Sequence, residues 1–221
     1  MPHSFSALFD PAALGIVVIG TVLATVARCG WRAFGEALGT AARMLRPGFR
    51  PDANRKALAL AIGAVQRDGH RRADPALPPD RALGLMLESY LRHGTLQAMG
   101  QVRRSERALD EARRVGAAQV FGWAGELSPV FGLIGTLYGF TQLAPHADAT
   151  ATVTIMTAIS TAVLTSLYGA LIAHLVCHPL ASAIERRGHA EEREREALAE
   201  WFVAQIEAGG RVRGAHLRGV A

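Results

Sequence analysis

The chain of 221 residues is long enough for one or two domains, and half of its residues are hydrophobic while only 19% are charged. This composition excludes a disordered, a collagen-like and a disulfide-rich secreted chain, and it is lean in charge for a soluble domain. The formal net charge of +5 comes almost wholly from arginine, since Lys56 is the one lysine. The hydrophobic residues are concentrated in three long stretches, which is typical of an integral membrane protein.

These three stretches contain no Asp, Glu, Lys or Arg. The first holds the seventeen residues between Asp10 and Arg28, the second lies between Glu126 and His146, and the third lies within 149–184. Because an α-helix rises about 1.5 Å per residue and a hydrocarbon core is about 30 Å thick, each stretch predicts one transmembrane helix. The residues before the first span carry no Lys or Arg, so we interpret that span as a retained anchor and not as a signal peptide.

The distribution of arginine predicts how the spans are oriented. Arginines follow the first span, precede the second and follow the third, whereas the connector 145–150 has no Lys or Arg. The positive-inside rule therefore predicts that the N-terminus is outside and the C-terminus is cytoplasmic. The expected fold is all-α, with an N-terminal transmembrane helix (1–30), a cytoplasmic helical domain (31–118), a transmembrane helix pair (119–184), and a cytoplasmic C-terminal helix and tail (185–221).

The polar segments have helical periodicity and no strand pattern of useful length. Helices are predicted over 52–67, 81–92, 95–120 and 185–207, and the tail after residue 207 is expected to fray. Asp52 and Asp80 are N-cap candidates for the first two helices. Cys29 and Cys177 fall at predicted cytoplasmic ends of spans, where thiols stay reduced, so no disulfide is expected.

The second span carries small residues on one helical face. Gly132, Gly135 and Gly139 are spaced three and four apart, with Thr136 beside them. Small residues on one face let helix backbones approach closely in lipid, so these glycines predict a helix-packing face.

The third span carries a stripe of hydroxyl groups. Thr154, Thr157, Thr161 and Thr165 recur at spacings of three, four and four, and Ser160 and Ser166 flank them. Such hydroxyls can bond to carbonyls of their own helix and hold neighbouring helices together. They can also line a hydrated path, because a hydroxyl donates and accepts hydrogen bonds without a fixed charge.

The second and third spans contain no carboxylate, although a proton or sodium path normally includes an ionisable residue within the membrane. If this chain conducts a cation, the essential acid must therefore come from another chain. His174 and His178 stand four apart, a spacing that can hold a metal, but no third ligand is evident and interfacial histidines are the favoured interpretation. No cofactor motif or nucleophile motif is present, so an enzyme is the least supported class, and no basic face with interleaved aromatics predicts nucleic-acid binding.

Two segments together resemble the pore helices of the MotA/TolQ/ExbB family. They are ELSPVFGLIGTLYGF and, after a short loop, TAISTAVLTSLYGALIAHLVCHPLASAIERR. The opening DPAALGIVVIGTVLATVA and the later EALAEWFVAQIEAGGRVR are similar to helices of the MotA branch. The resemblance covers about half of the chain.

The resemblance implies an inner-membrane stator subunit that forms a homo-pentamer around two copies of a single-span MotB, ExbD or TolR type partner. That partner carries the membrane aspartate. Pro129 and Pro179 match the family's two prolines that flank the pore helices, Thr136 matches the hydroxyl after the GLIG motif, and Ser166 matches the hydroxyl three residues before Gly169. Contact with a flagellar rotor is a further implication, for which candidate residues are Arg92, Arg103, Arg104, Glu106 and Glu111, although a solvated helix face is the favoured interpretation of these.

The leading hypothesis is an ion-driven motor subunit that is embedded in the lipid of the bacterial inner membrane. Protons are favoured over sodium ions as the driving ion. Its predicted ion path is lined by Thr136, Thr161, Thr165 and Ser166, with helix packing at Gly132, Gly135, Gly139 and Gly169. Three spans is the count of the ExbB and TolQ branch, so an energiser of outer-membrane processes is an alternative. A passive membrane scaffold and a metal transporter based on the two histidines are the others.

Overall fold

The computed structural model describes residues 10–45, 48–141 and 151–218, with side chains described outside 151–154 and 210–218. The helices, in chain order, are α1 (Pro11–Arg43), α2 (Pro51–Asp68), α3 (Arg81–His93), α4 (Leu96–Thr141), α5 (Ala151–Leu171), a π-helical segment (Ile172–Cys177) and α6 (His178–Arg218). These ranges contain no strand, which confirms the all-α prediction. The connector 145–150 lies outside the described residues.

Within the described residues, three helices are long and apolar enough to cross a membrane, as the sequence predicts. They lie within Pro11–Arg43, Leu96–Thr141 and Ile155–Gly209. The second and third continue well beyond their uncharged stretches into the charged helices next to them. The tail also differs from its prediction, since α6 continues to Arg218 where fraying is expected after residue 207.

The described residues form two compact units, whose ranges along the chain are given next. One, here called the membrane unit, comprises 1–45 and 114–185, and the other, here called the charged unit, comprises 46–113 and 186–221. Residues 31–45 therefore pack with the membrane helices, and the C-terminal helix packs with the helices of the charged unit.

Within the membrane unit, α1 begins at a side-chain cap and breaks once. The Asp10 carboxylate accepts hydrogen bonds from the backbone N–H groups of Ala12 and Ala13, and Pro11 occupies the first helical position. Gly30 interrupts the helix with φ 82° and ψ 156°, a conformation that glycine adopts without a Cβ clash. The chain is thus kinked two residues after Arg28.

Two apolar clusters hold the membrane unit together. Ala13 and Val17 of α1 pack against Leu164 and Tyr168 of α5. Ala37, after the break in α1, joins a second cluster with residues of α4 and α6, namely Ala117, Val120 and Ile184. The helix on each side of Gly30 is therefore anchored separately.

The charged unit has a larger apolar core, in which α2, α3 and α6 meet. Leu58, Leu83, Leu87 and Phe202 are almost fully buried, and the ring of Tyr90 meets that of Phe202 edge-on at 5.9 Å between centroids. Burial of this kind stabilises by about 1.5–3 kcal/mol for each large side chain.

The two N-cap predictions in this unit have different outcomes. Asp80 caps α3, because its Oδ1 accepts a hydrogen bond from the N–H of Leu83 at 3.1 Å. The prediction for Asp52 is wrong, because α2 begins at Pro51 and its N-cap is Arg50 without a side-chain hydrogen bond. Proline suits the first helical position because its missing N–H would be unpaired there anyway.

Charged side chains add ion pairs within this unit. Arg195 of α6 donates to Asp80 at 2.9 Å. Burial alone lowers the pKa of the Arg195 guanidinium, but the neighbouring carboxylates of Asp80, Glu191 and Asp110 raise the pKa above its ordinary value. Arg195 therefore stays charged and links the start of α3 to α6.

Candidate functional site

Two membrane helices, α4 and α5, approach each other closely at a pair of glycines. A methyl group placed on Gly132 would lie 2.9 Å from the carbonyl oxygen of Thr165 and 3.4 Å from the Cα of Gly169. A methyl group placed on Gly169 would lie 2.7 Å from the carbonyl oxygen of Ser128. Real Cβ atoms do not come so near to backbone oxygen, so the two helices are in contact along their backbones.

The same face continues along both helices toward the end that bears Asp10. A methyl group on Gly135 would meet the side chain of Thr165 at 2.6 Å, and one on Gly139 would meet the carbonyl oxygen of Ala158 at 3.0 Å. All four glycines that the sequence assigns to helix packing thus lie at the contact of α4 with α5.

The four predicted path hydroxyls do not share one environment. Thr165 is fully buried beside Gly135, and its hydroxyl donates to the carbonyl of Ala162 at 2.9 Å. Thr136 and Ser166 are half-buried, and the Thr136 hydroxyl donates to the carbonyl of Leu133 at 2.6 Å. Each bond to the helix's own backbone uses the hydroxyl proton and leaves the oxygen able to accept from water.

Thr161 has a partner that sequence reasoning does not anticipate. Its hydroxyl lies 3.3 Å from Oδ2 of Asp10, in hydrogen-bonding geometry. The backbone N–H of Asp10 donates to the Tyr168 hydroxyl at 2.9 Å. A carboxylate of this chain therefore borders the hydroxyl face of α5, at the start of α1.

The resemblance places the two prolines at the flanks of the pore helices, but in the structure both lie within continuous helical chain. Pro129 lies inside α4, which begins at Leu96, and is beside Gly169. Pro179 lies in the first turn of α6 and does not end the helical chain. The π-helical segment ends at Cys177, two residues before Pro179. The His178 N–H bonds to the Ala173 carbonyl, and this wider turn accommodates the missing N–H of proline.

Polar side chains mark the other end of the membrane unit. Arg28 pairs with Glu126 at 3.3 Å, and its guanidinium lies 4.8 Å from the centre of the Trp123 ring. His178 faces Gly125, and its ring centre is 5.5 Å from that of His174. Among residues 10–45, 48–141 and 151–218, no group of three potential ligands is placed to hold a metal ion.

Two buried hydroxyls of the membrane unit have no hydrogen-bond partner within the described part of the chain. They belong to Thr21 of α1 and Ser128 of α4. Both lie between the contact of Gly20 with Phe131 and the ion pair of Arg28 with Glu126. Buried hydroxyls of this kind are suited to hold ordered water, a feature that spacing alone does not reveal.

Comparison with known proteins agrees with this architecture. A chain in the structure of the flagellar MotAB stator complex from Bacillus subtilis is 24% identical, with a TM-score of 0.73 over 92% of this chain and 81% of that one. A chain in the C. jejuni MotAB structure is 14% identical, with a TM-score of 0.75 over 90% of this chain and 79% of that one. No curated protein sequence matches significantly.

These structural likenesses show that the fold is shared. A sequence profile described as the MotA/TolQ/ExbB proton channel family matches residues 81–197, which is just over half of the chain and includes α3, α4, α5 and the first half of α6. The chain therefore belongs to the MotA/TolQ/ExbB proton channel family.

Proposed function

We propose that this chain is the membrane subunit of an ion-driven motor that couples ion flow, with protons as the favoured ion, to mechanical work. The observation that carries the proposal is that two spans of a chain from a proton channel family lack an acidic side chain. The chain belongs to a proton channel family. Its second and third spans nevertheless hold no carboxylate. Asp10 contacts Thr161 but lies at the start of α1, outside these two spans, so a path for a cation through them needs an acid from a second chain.

The acid would come from a single-span partner of the MotB, ExbD or TolR type, with an aspartate inside the membrane. The chain that matches in each solved structure belongs to a MotAB complex, which supports a partner of this kind here. By resemblance, five copies of the chain would surround the partner's helices. A flagellar rotor would be the machine that such a stator drives.

The glycine contact between α4 and α5 would supply the rigid wall of the path. Helices that touch along their backbones at Gly132 and Gly169 cannot slide without a clash, so the hydroxyls on them keep fixed positions. Pro129 lies at this contact as well, within α4. Pro179, after the π-helical segment, would set where the path ends.

The hydroxyls of Thr136, Thr161, Thr165 and Ser166 would line the path. Thr136 and Ser166 are half-buried in this chain alone, so they are accessible to a partner helix. Their oxygens would accept hydrogen bonds from the protonated aspartate or from the water around it. Thr165, which is enclosed by α4 and α5, would fix the spacing of these helices beside the path.

The orientation follows from the arginines that flank the three spans. Arg28 begins the basic region after the first span, and its pair with Glu126 would mark the cytoplasmic border of the membrane. The N-terminus would then be periplasmic and the C-terminus cytoplasmic, in the bacterial inner membrane. The charged unit would lie in the cytoplasm, where it could couple motion to another protein.

The proposal is tested by co-expression with a single-span protein of the MotB type that carries an aspartate within the membrane. The purified complex would be placed in liposomes with an imposed pH gradient, and proton flux would be measured. We expect flux that disappears when the partner's membrane aspartate is changed to asparagine. A stable assembly that binds no such partner and conducts no ion would favour the passive scaffold instead.

Thr136→Val tests one residue of the path without a large change in volume. We expect the complex to assemble and its flux to fall at least about tenfold, because the valine cannot accept a hydrogen bond. Thr141→Val is the matched control, since Thr141 lies on the same helix and also donates to the carbonyl three residues earlier, that of Tyr138. Equal flux in the two variants would remove Thr136 from the path.

A further inference from the structure

The segment after the Gly30 break, residues 31–45, leaves a row of large apolar side chains uncovered. Trp31 is 72% exposed, Leu38 is 57% exposed and Leu45 is 90% exposed. Trp31 and Leu38 are seven residues apart, which is close to two helical turns, so both project from one side of the helix. Leu45 lies in the turn that follows Arg43, the last helical residue. An exposed row of this size on a short helix is unusual for a surface in contact with water.

This row is not the face by which the segment is held in the protein. Ala37 is buried against Ala117, Val120 and Ile184, and Phe34 packs on the same cluster. At about 100° per residue, Ala37 lies roughly 100° around the helix from Leu38. The segment therefore has two apolar sides, of which one is occupied by α4 and α6.

The third side of the segment is polar. Arg32, Glu36 and Arg43 lie close together around the helix, roughly 100–140° from the exposed row when each residue adds about 100°. A helix with large apolar residues on one side and arginine on another is typical of peptides that lie in a membrane surface.

The position of the segment in the chain identifies what covers the row. Gly30 lies directly after a membrane-spanning helix, and Arg28, two residues earlier, is paired with Glu126 and stacked on Trp123. Tryptophan and arginine are enriched at the border between lipid and water. The exposed row therefore starts at the depth where a bilayer's headgroups begin.

We propose that residues 31–45 lie in the bilayer interface and insert the side chains of Trp31, Leu38 and Leu45 into the boundary between headgroups and acyl chains. The occupant of the exposed row is thus lipid and not a second protein chain. The kink at Gly30 is what separates this part of α1 from the span before it. This inference does not depend on ion conduction or on a partner aspartate.

Fluorescence of single-tryptophan variants tests the proposal in the full chain. Trp123→Phe with Trp201→Phe leaves Trp31 as the one tryptophan, and Trp31→Phe with Trp123→Phe leaves Trp201, which contacts Arg55 in the charged unit. Both variants would be reconstituted in vesicles of phosphatidylcholine and phosphatidylglycerol, with and without bromine on the upper part of the acyl chains.

We expect brominated lipid to lower Trp31 fluorescence by about twofold or more, since interfacial helices bury their apolar face about 5–10 Å deep, and to leave Trp201 unchanged. Aqueous iodide should affect Trp31 weakly. Strong quenching of Trp31 by iodide without quenching by brominated lipid would overturn the proposal in favour of water. Protection of Trp31 from both quenchers would overturn it in favour of a covering protein chain.

A second pair of variants tests the row without relying on Trp31 alone. In the Trp31-only background, Leu38→Glu should reduce quenching by brominated lipid, because a charge on the inserted side opposes burial. Leu60→Glu is the control, since Leu60 is 63% exposed in the charged unit and outside the segment. If Leu38→Glu leaves the quenching unchanged, Leu38 is not inserted and the proposal fails.

Discussion

Gly132 and Gly169 face each other across the contact of α4 and α5, and neither position has room for a side chain. A methyl group on Gly169 would lie 3.1 Å from the Cα of Gly132, and one on Gly132 would lie 3.4 Å from the Cα of Gly169. Because the surrounding atoms are backbone, a larger residue at either position must move a whole helix.

Gly169→Ala should therefore destabilise the membrane unit although alanine is the better helix former. We expect a loss of about 1–3 kcal/mol, the usual cost of an overpacked contact. Gly122→Ala is the matched control, because a methyl group on Gly122 meets nothing within 4 Å. There the loss of backbone freedom in the unfolded chain should stabilise by about 0.5–1 kcal/mol.

Unfolding of the detergent-solubilised chain by increasing SDS, followed by circular dichroism, measures both variants. Opposite shifts of the unfolding midpoint are expected. Equal shifts would mean that α4 and α5 can separate at Gly169 without cost.

The Asp10 carboxylate should act through hydrogen bonds more than through its charge. It caps α1 and lies within hydrogen-bond distance of the Thr161 hydroxyl. Asp10→Ala should lower stability by about 0.5–2 kcal/mol, while Asp10→Asn should cost little, because asparagine is an equally good N-cap. The same SDS titration measures both. If Asp10→Asn is as harmful as Asp10→Ala, the negative charge itself is required.

The sequence predicts the parts of this structure that depend on local patterns. The three spans follow from uncharged length, and the packing face follows from the spacing of Gly132, Gly135 and Gly139, since helical geometry places such residues on one side. The Asp80 cap follows from a single residue type before a periodic segment. These features need no knowledge of distant residues.

Contacts between distant residues are the part that the sequence does not reveal. The hydrogen bond from Thr161 to Asp10 joins residues 151 positions apart. The favoured interpretation of Arg103 as part of a solvated helix face is wrong, because it is buried and paired with Glu192. Arginines at helical spacing look alike in a sequence, and only the packing of α6 on α4 decides which one is covered.

This buried pair should be more important than an exposed pair of similar geometry. The side chains of Arg103 and Glu192 are 7% and 9% exposed, with 2.6 Å between them. Arg103→Met leaves a buried carboxylate and should cost several kcal/mol, toward the lower end of about 3–5 kcal/mol because Arg107 and Arg195 also lie near Glu192.

Arg92→Met is the control for this change, because Arg92 pairs with Glu88 at an exposed site on α3. Its expected cost is about 0.3–0.5 kcal/mol. Thermal unfolding of the purified chain measures both variants. Adding Glu192→Leu to Arg103→Met should restore much of the lost stability. If it does not, another positive charge still compensates the Glu192 carboxylate in the single variant.

Tyr90 should make the stability of the charged unit depend on alkaline pH. Burial raises the pKa of its phenol above the ordinary value of 10.0. As pH rises, the unfolded chain loses the phenol proton first. The stability that the neutral phenol contributes is therefore fully present below about pH 10 and is lost as pH passes through the higher pKa of the folded state. Tyr90→Phe removes the titrating group and keeps the ring that packs on Phe202.

The difference between the two chains isolates this effect from other titrations. Unfolding midpoints of the wild type and Tyr90→Phe would be compared from about pH 8 to about pH 11.5, a range that spans the ordinary tyrosine pKa. We expect a constant difference between the two midpoints at the lower end of the range. Above about pH 10 the difference should change in favour of Tyr90→Phe, because only the wild type must then take up a proton on its ionised phenol in order to fold. A difference that stays constant over the whole range would mean that the Tyr90 hydroxyl is solvated in the folded chain.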